Sequence, residues 1–129
     1  MDYKVLVVDD EPFILKSLTF VLRKAGFDVL EAHDGEEALE VLRAQRPGLV
    51  FLDVMMPRKN GYDVCREVKS DPELASTHVI MLTAKGQEAD KQKAFACRAD
   101  EYIIKPFSPT KIIERAVTIA RGRTGAPSK

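Results

Sequence analysis

Short apolar runs recur along the chain, each followed by a longer stretch in which apolar positions return at helical period. The runs are VLVV at 5–8, FDVLEA at 27–32, LVFL at 49–52, VIML at 79–82 and YII at 102–104. All except the second are continuously apolar rather than alternating, the pattern of parallel strands covered on both faces. Between them, the first helical stretch places Ile14, Leu15, Leu18, Val21, Leu22 and Ala25 on one face, with Pro12 suited to its first turn and Gly26 to its end. The second opens on Asp34 with Glu37 three residues later, a capping-box spacing, ahead of Ala38, Leu39 and Leu42. Pro47-Gly48 breaks the chain before the third strand. A third helix is expected after Asn60-Gly61, a fourth from about Gln87 to Cys97, and a fifth from Ser108-Pro109 with Ile112, Ile113, Ala116 and Ile119 inward. Strands alternating with helices through short connections predict an α/β fold, a doubly wound parallel sheet of five strands flanked by five helices. After Arg121 periodicity stops, so residues 1–121 are expected to form one domain and 122–129 a tail or linker.

Composition narrows the class of molecule. With 129 residues, 45% of them hydrophobic and 31% charged, the chain can bury one real core. Lys+Arg and Asp+Glu are 20 each, so no basic surplus favours nucleic acid or an anionic membrane as partner. No apolar run reaches the length of a membrane span and no secretion-signal pattern opens the chain, which reads as cytoplasmic. Cys65 and Cys97 lack metal-ligand spacing and read as small core residues.

Chemistry is suggested where the strands end. In doubly wound sheets the functional groups gather outside the carboxyl ends of the strands. The first strand ends in Asp9 and Asp10, the third in Asp53, the fourth in Thr83 and the fifth in Lys105. Taken singly, an Asp at such a junction is a helix cap, a terminal Thr a strand former and a Lys before Pro a solvated turn residue. Taken together, three carboxylates in one pocket repel one another and raise a pKa unless a cation joins them. Hard oxygen donors without His or thiolate favour Mg²⁺, which commonly completes its shell with phosphate. Lys105 and Thr83 suit phosphoryl oxygens.

The segments VVDDEP, FLDVMMPRKNGYDV, VIMLTA and ADEYIIKPFSP, in this order at consecutive strand ends, resemble the receiver domain of two-component response regulators, a family typified by the bacterial chemotaxis regulator. The resemblance covers Lys4 to about Arg121 and implies strand order 2-1-3-4-5. It implies that Asp53 accepts a phosphoryl group from a phosphohistidine on a sensor histidine kinase or phosphotransfer protein. It further implies that Asp10, Asp53 and the backbone carbonyl of Met55 ligate Mg²⁺, with Asp9 acting mostly through bound water. Lys105 matches the lysine that pairs with the phosphoryl group, Thr83 the hydroxyl that moves to meet it, and Tyr102 the aromatic that follows. Ala84 matches a small residue beside the site, and a cis peptide is expected at Lys105-Pro106. Output would pass to a downstream effector through the face of the fourth predicted helix, the fifth strand and the fifth predicted helix.

Some positions depart from the family pattern or tune it. Arg98 stands where glycine is usual, so the fourth helix is expected to end differently. Met55 and Lys85 occupy places that modulate phosphoryl loss, and a Met side chain, a poor hydrogen-bonding partner for water, predicts slow autodephosphorylation. Lys91 and Lys111 would repel across the active-state dimer typical of winged-helix members, which leaves at most a weak phosphorylation-dependent dimer. An FMN binder of flavodoxin type would need a Gly- and Ser/Thr-rich first loop where this chain has DDEP. A haloacid-dehalogenase-type phosphatase expects Asp-x-Asp, whereas Glu11 stands two after Asp9. A pseudo-receiver that only binds partners would typically have lost an acid or the lysine. No basic recognition helix is in view, so direct DNA binding is not expected, and a stand-alone regulator acting by protein contact is preferred over one unit of a longer chain.

Overall fold

The computed structural model describes residues 3–56, 59–84 and 97–123. In chain order the elements are β1 (Lys4–Val8), α1 (Pro12–Lys24), β2 (Asp28–Ala32), α2 (Gly35–Gln45), β3 (Leu49–Asp53), α3 (Gly61–Ser70), β4 (His78–Ala84), β5 (Glu101–Lys105) and α4 (Pro109–Arg123). The five strands form one parallel sheet in the order β2-β1-β3-β4-β5, as expected. Of the helix expected at Gln87–Cys97, residues 87–96 lie outside the described residues, and Cys97 sits in a turn.

Strand alternation sorts the core into two layers. Leu6, Val8, Val50, Leu52, Val79 and Met81 point to the face covered by α2 and α3, where Leu39, Leu42, Val64, Cys65 and Val68 meet them. Val5, Val7, Leu49, Phe51, Ile80 and Leu82 point to the other, where Leu15, Leu18 and Leu22 of α1 meet Ile112, Ala116 and Ile119 of α4. β3 is buried at every position because it lies mid-sheet with helices on both sides. That burial explains the unbroken apolar runs.

Helix ends follow their chemistry, with some departures. Asn60 caps α3 by accepting from the Asp63 amide at 3.0 Å. Asp34 caps α2 by accepting from Glu37 N–H at 2.8 Å, but the Glu37 carboxylate accepts from His33 N–H, also at 2.8 Å, one residue earlier than in a standard capping box. Gly26 takes a φ of 101° after α1, which only glycine adopts cheaply. α4 runs to Arg123, past the point where periodicity suggested a tail, since one glycine, Gly122, costs a final helical turn only about 1 kcal/mol. Arg98 keeps a left-handed backbone, φ 67°, despite its side chain. The expected change of local conformation there does not occur: the side chain bonds Ser70 Oγ at 3.3 Å, and nearby the Asp100 carboxylate accepts from Val79 N–H at 2.8 Å.

Candidate functional site

At the carboxyl edge of the sheet, β1 hands over to Asp9 and Asp10, and β3 ends on Asp53. Lys105 closes β5, in register with Ala84 of β4, while Thr83 lies one residue beyond the partner of Asp53, Leu82. The Lys105–Pro106 peptide is cis, as expected. Carboxylate oxygens of Asp9, Asp10 and Asp53 all lie within 4.8 Å of one another. Asp9 and Asp53 are buried, 1% and 4% exposed, whereas Asp10 faces solvent. Lys105 Nζ stands 3.0 Å from Asp53 Oδ1 and 3.4 Å from Asp9 Oδ2. The other Asp9 oxygen accepts from the Glu11 amide at 2.9 Å, so Asp9 also shapes the turn into α1.

The electrostatics of this cluster are unbalanced. Burial pushes the Asp53 carboxyl from the ordinary 3.8 up to about 6; the Lys105 hydrogen bond opposes that rise, and negative Asp9 and Asp10 add to it. Burial works to lower the Lys105 ammonium, but its bonds and charge attraction to Asp53 and Asp9 outweigh it and hold the group above the usual lysine range. Among the described residues, one ammonium is thus paired with two members of a cluster of three carboxylates, which leaves these groups negative on balance. An oxygen-only donor set with one solvent-facing member fits a hard divalent cation such as Mg²⁺.

Thr83 is buried at the edge of the site, and Tyr102 of β5 packs half-buried against the α2–α3 core. The Met55 side chain, two residues past Asp53, is exposed. Lys85 and Lys91 lie outside the described residues, and so does the side chain of Ala84. Sequence reasoning missed the part of Gly61. A Cβ there would fall 2.4 Å from the Asp53 carbonyl oxygen, and Gly61 N–H donates to the Val54 carbonyl at 3.0 Å. The Asn-Gly dipeptide signalled a helix start but not that the helix abuts the backbone of Asp53.

The model of the response regulator receiver domain matches residues 5–117. The chain belongs to the response regulator receiver domain family. Receiver-domain relatives include the alkaline phosphatase synthesis transcriptional regulatory protein PhoP of Bacillus subtilis, 41% identical over 99% of this chain and 53% of that protein. The DNA-binding response regulator MtrA of Mycolicibacterium smegmatis is 40% identical over 100% of this chain and 55% of its own length. The chain thus spans about half the length of the curated relatives it matches. Among solved receiver structures, the signal receiver domain of a signal transduction histidine kinase from Syntrophus aciditrophicus superposes with a TM-score of 0.89 at 30% identity, covering 98% of this chain and 96% of that one. The receiver fold and membership of two-component signalling follow, and such domains act in general as signalling switches. Among the described residues no helix is long and apolar enough to cross a membrane.

Proposed function

We propose that this receiver domain takes a phosphoryl group on Asp53 from a phosphohistidine of a sensor histidine kinase or phosphotransfer protein. The observation that carries this reading is the meeting of Lys105 Nζ with buried Asp53 and Asp9 inside a cluster of three carboxylates. In the transfer the P–N bond to the donor imidazole breaks and a P–O bond to an Asp53 carboxylate oxygen forms, the imidazole leaving with its electron pair and taking a proton from solvent. Transfer of this kind is chiefly positioning and charge stabilisation. β3, buried throughout, holds Asp53 in place, and Lys105 is set to neutralise phosphoryl oxygens. Asp9, Asp10, Asp53 and the Met55 carbonyl would hold Mg²⁺, Asp9 mostly through water. When bound, the ion supplies further positive charge to the phosphoryl oxygens.

Thr83 and Tyr102 are the switch. A phosphoryl group on Asp53 offers the Thr83 hydroxyl a new acceptor, and this differential contact shifts the population between conformers. Tyr102, on the neighbouring strand, follows, and the face of β5 and α4 passes the change to an effector protein or domain. Residues up to Arg123, where α4 ends, act as the receiver unit and the residues beyond as a tail or linker.

Borohydride reduction tests the assignment. It converts an acyl phosphate to an alcohol, so protein treated with acetyl phosphate and Mg²⁺ should yield homoserine at position 53 on peptide mapping. Homoserine at another position would overturn the assignment.

A further inference from the structure

Two buried groups have no part in the phosphorylation site, the thiols of Cys65 and Cys97, which are the chain's only cysteines and are both free. Cys65 lies on the inward face of α3 and is 0% exposed; Cys97 lies in the turn leading to β5 and is 1% exposed. The Cys65 Sγ–H donates to the Cys97 carbonyl oxygen at 3.4 Å, and each thiol shifts the titration of the other. Cys65 keeps its proton and Cys97 is drawn toward the thiolate, the form that attacks an oxidant. Cys65 Sγ thus touches the backbone of Cys97, which makes the two residues neighbours in the core, and a disulfide between them requires the sulfurs to close to about 2.0 Å.

We propose that Cys65 and Cys97 are an oxidation site that closes to a reversible intramolecular disulfide. With a peroxide as oxidant, the Cys97 sulfur attacks one peroxide oxygen, the O–O bond breaks, and the departing hydroxide takes a proton to become water. The Cys65 sulfur then attacks the resulting sulfenic sulfur, the S–O bond breaks, and a second water leaves with the Cys65 proton. Two thiols are oxidised by two electrons while one peroxide is reduced to two waters. Burial makes the reaction depend on local opening, so it is slower in the folded chain than in the unfolded one. The bond ties α3, whose first residue abuts the Asp53 carbonyl, to the turn that enters β5, and both cysteines share a core cluster with Tyr102. The proposal stands on the thiol geometry and does not depend on phosphorylation.

The test uses the wild-type chain. Folded protein is incubated with hydrogen peroxide, quenched with an alkylating agent and denatured, and its intact mass and tryptic peptides are read before and after dithiothreitol. The expected result is a monomer about 2 Da lighter with neither thiol alkylated, a Cys65–Cys97 cross-linked peptide, and recovery of both thiols on reduction. The oxidised form should also melt at a higher temperature than the reduced form. Retention of both free thiols under conditions that oxidise them in urea would overturn the proposal, as would an intermolecular disulfide or a sulfinic acid as the main product. Cys97→Ala, checked for folding by circular dichroism, should give no loss of about 2 Da.

Discussion

Replacing Asp53 by asparagine should make the metal-free protein more stable, although it removes a partner of Lys105. In the folded chain the Asp53 carboxyl holds its proton to about 6 instead of the ordinary 3.8. Between those values the folded state binds more protons than the unfolded one, so stability falls as pH rises from about 4 to 6 and the full penalty applies above it. At about 1.4 kcal/mol per pH unit the rise corresponds to at most about 3 kcal/mol, with the favourable Lys105 bond already included. Asparagine keeps the shape without the charge, and Lys105 keeps Asp9. Urea unfolding in EDTA followed by circular dichroism should show Asp53→Asn more stable at pH 8, by a midpoint shift of up to about 2 M for a slope of about 1.5 kcal/mol/M. The advantage should shrink steadily toward pH 4. Mg²⁺ should stabilise the wild type and much less the variant, because only the wild type has the third carboxylate. A variant that is equally or less stable at pH 8, or a difference unaffected by pH, would refute the electrostatic account of the site.

Four further outcomes are expected. Lys105→Met leaves buried Asp9 and Asp53 without their ammonium and should cost about 2–3 kcal/mol at pH 8, less at pH 5, by the same urea assay. Gly61→Ala would drive a methyl group against the Asp53 carbonyl and should cost about 1–3 kcal/mol while slowing phosphoryl uptake from acetyl phosphate; unchanged uptake in a folded variant would contradict the positioning role. Arg98→Gly relieves a left-handed residue and should raise stability by up to about 1 kcal/mol in thermal melts, the lost bond to Ser70 being exposed and weak. Met55→Asn places a side chain that can hydrogen-bond water near Asp53 and should speed phosphoryl loss several-fold, followed as decay of the phosphorylated mass; an unchanged decay rate would count against the influence assigned to Met55.

Much of the fold and of the site's placement was readable because both rest on local patterns. Buried parallel strands require unbroken apolar runs, and the rule that function collects at their carboxyl ends brought Asp9, Asp10, Asp53, Thr83 and Lys105 to one edge from the sequence alone. What stayed hidden depends on distance through space. Lys105 meets Asp53 and Asp9 across 52 and 96 positions of chain, and no spacing says how strongly burial lifts the Asp53 carboxyl. Gly61 read as half of a turn, since only tertiary packing shows it against the Asp53 backbone. Arg98 made a left-handed turn costly, by about 1 kcal/mol, yet the surrounding fold imposes it. Cys65 and Cys97 looked like isolated core residues because 66–96 separate them in sequence, while the sheet brings α3 and the entry to β5 together.

The central claim is that Asp53 is the phosphoacceptor and that Mg²⁺ is needed for it. Intact mass after incubation with acetyl phosphate, with and without Mg²⁺, tests both for the wild type and Asp53→Asn side by side. The account predicts a single phosphoryl adduct on the wild type, formed only with Mg²⁺ and absent from the variant. An adduct of equal yield on folded Asp53→Asn, or on the wild type in EDTA, would contradict it.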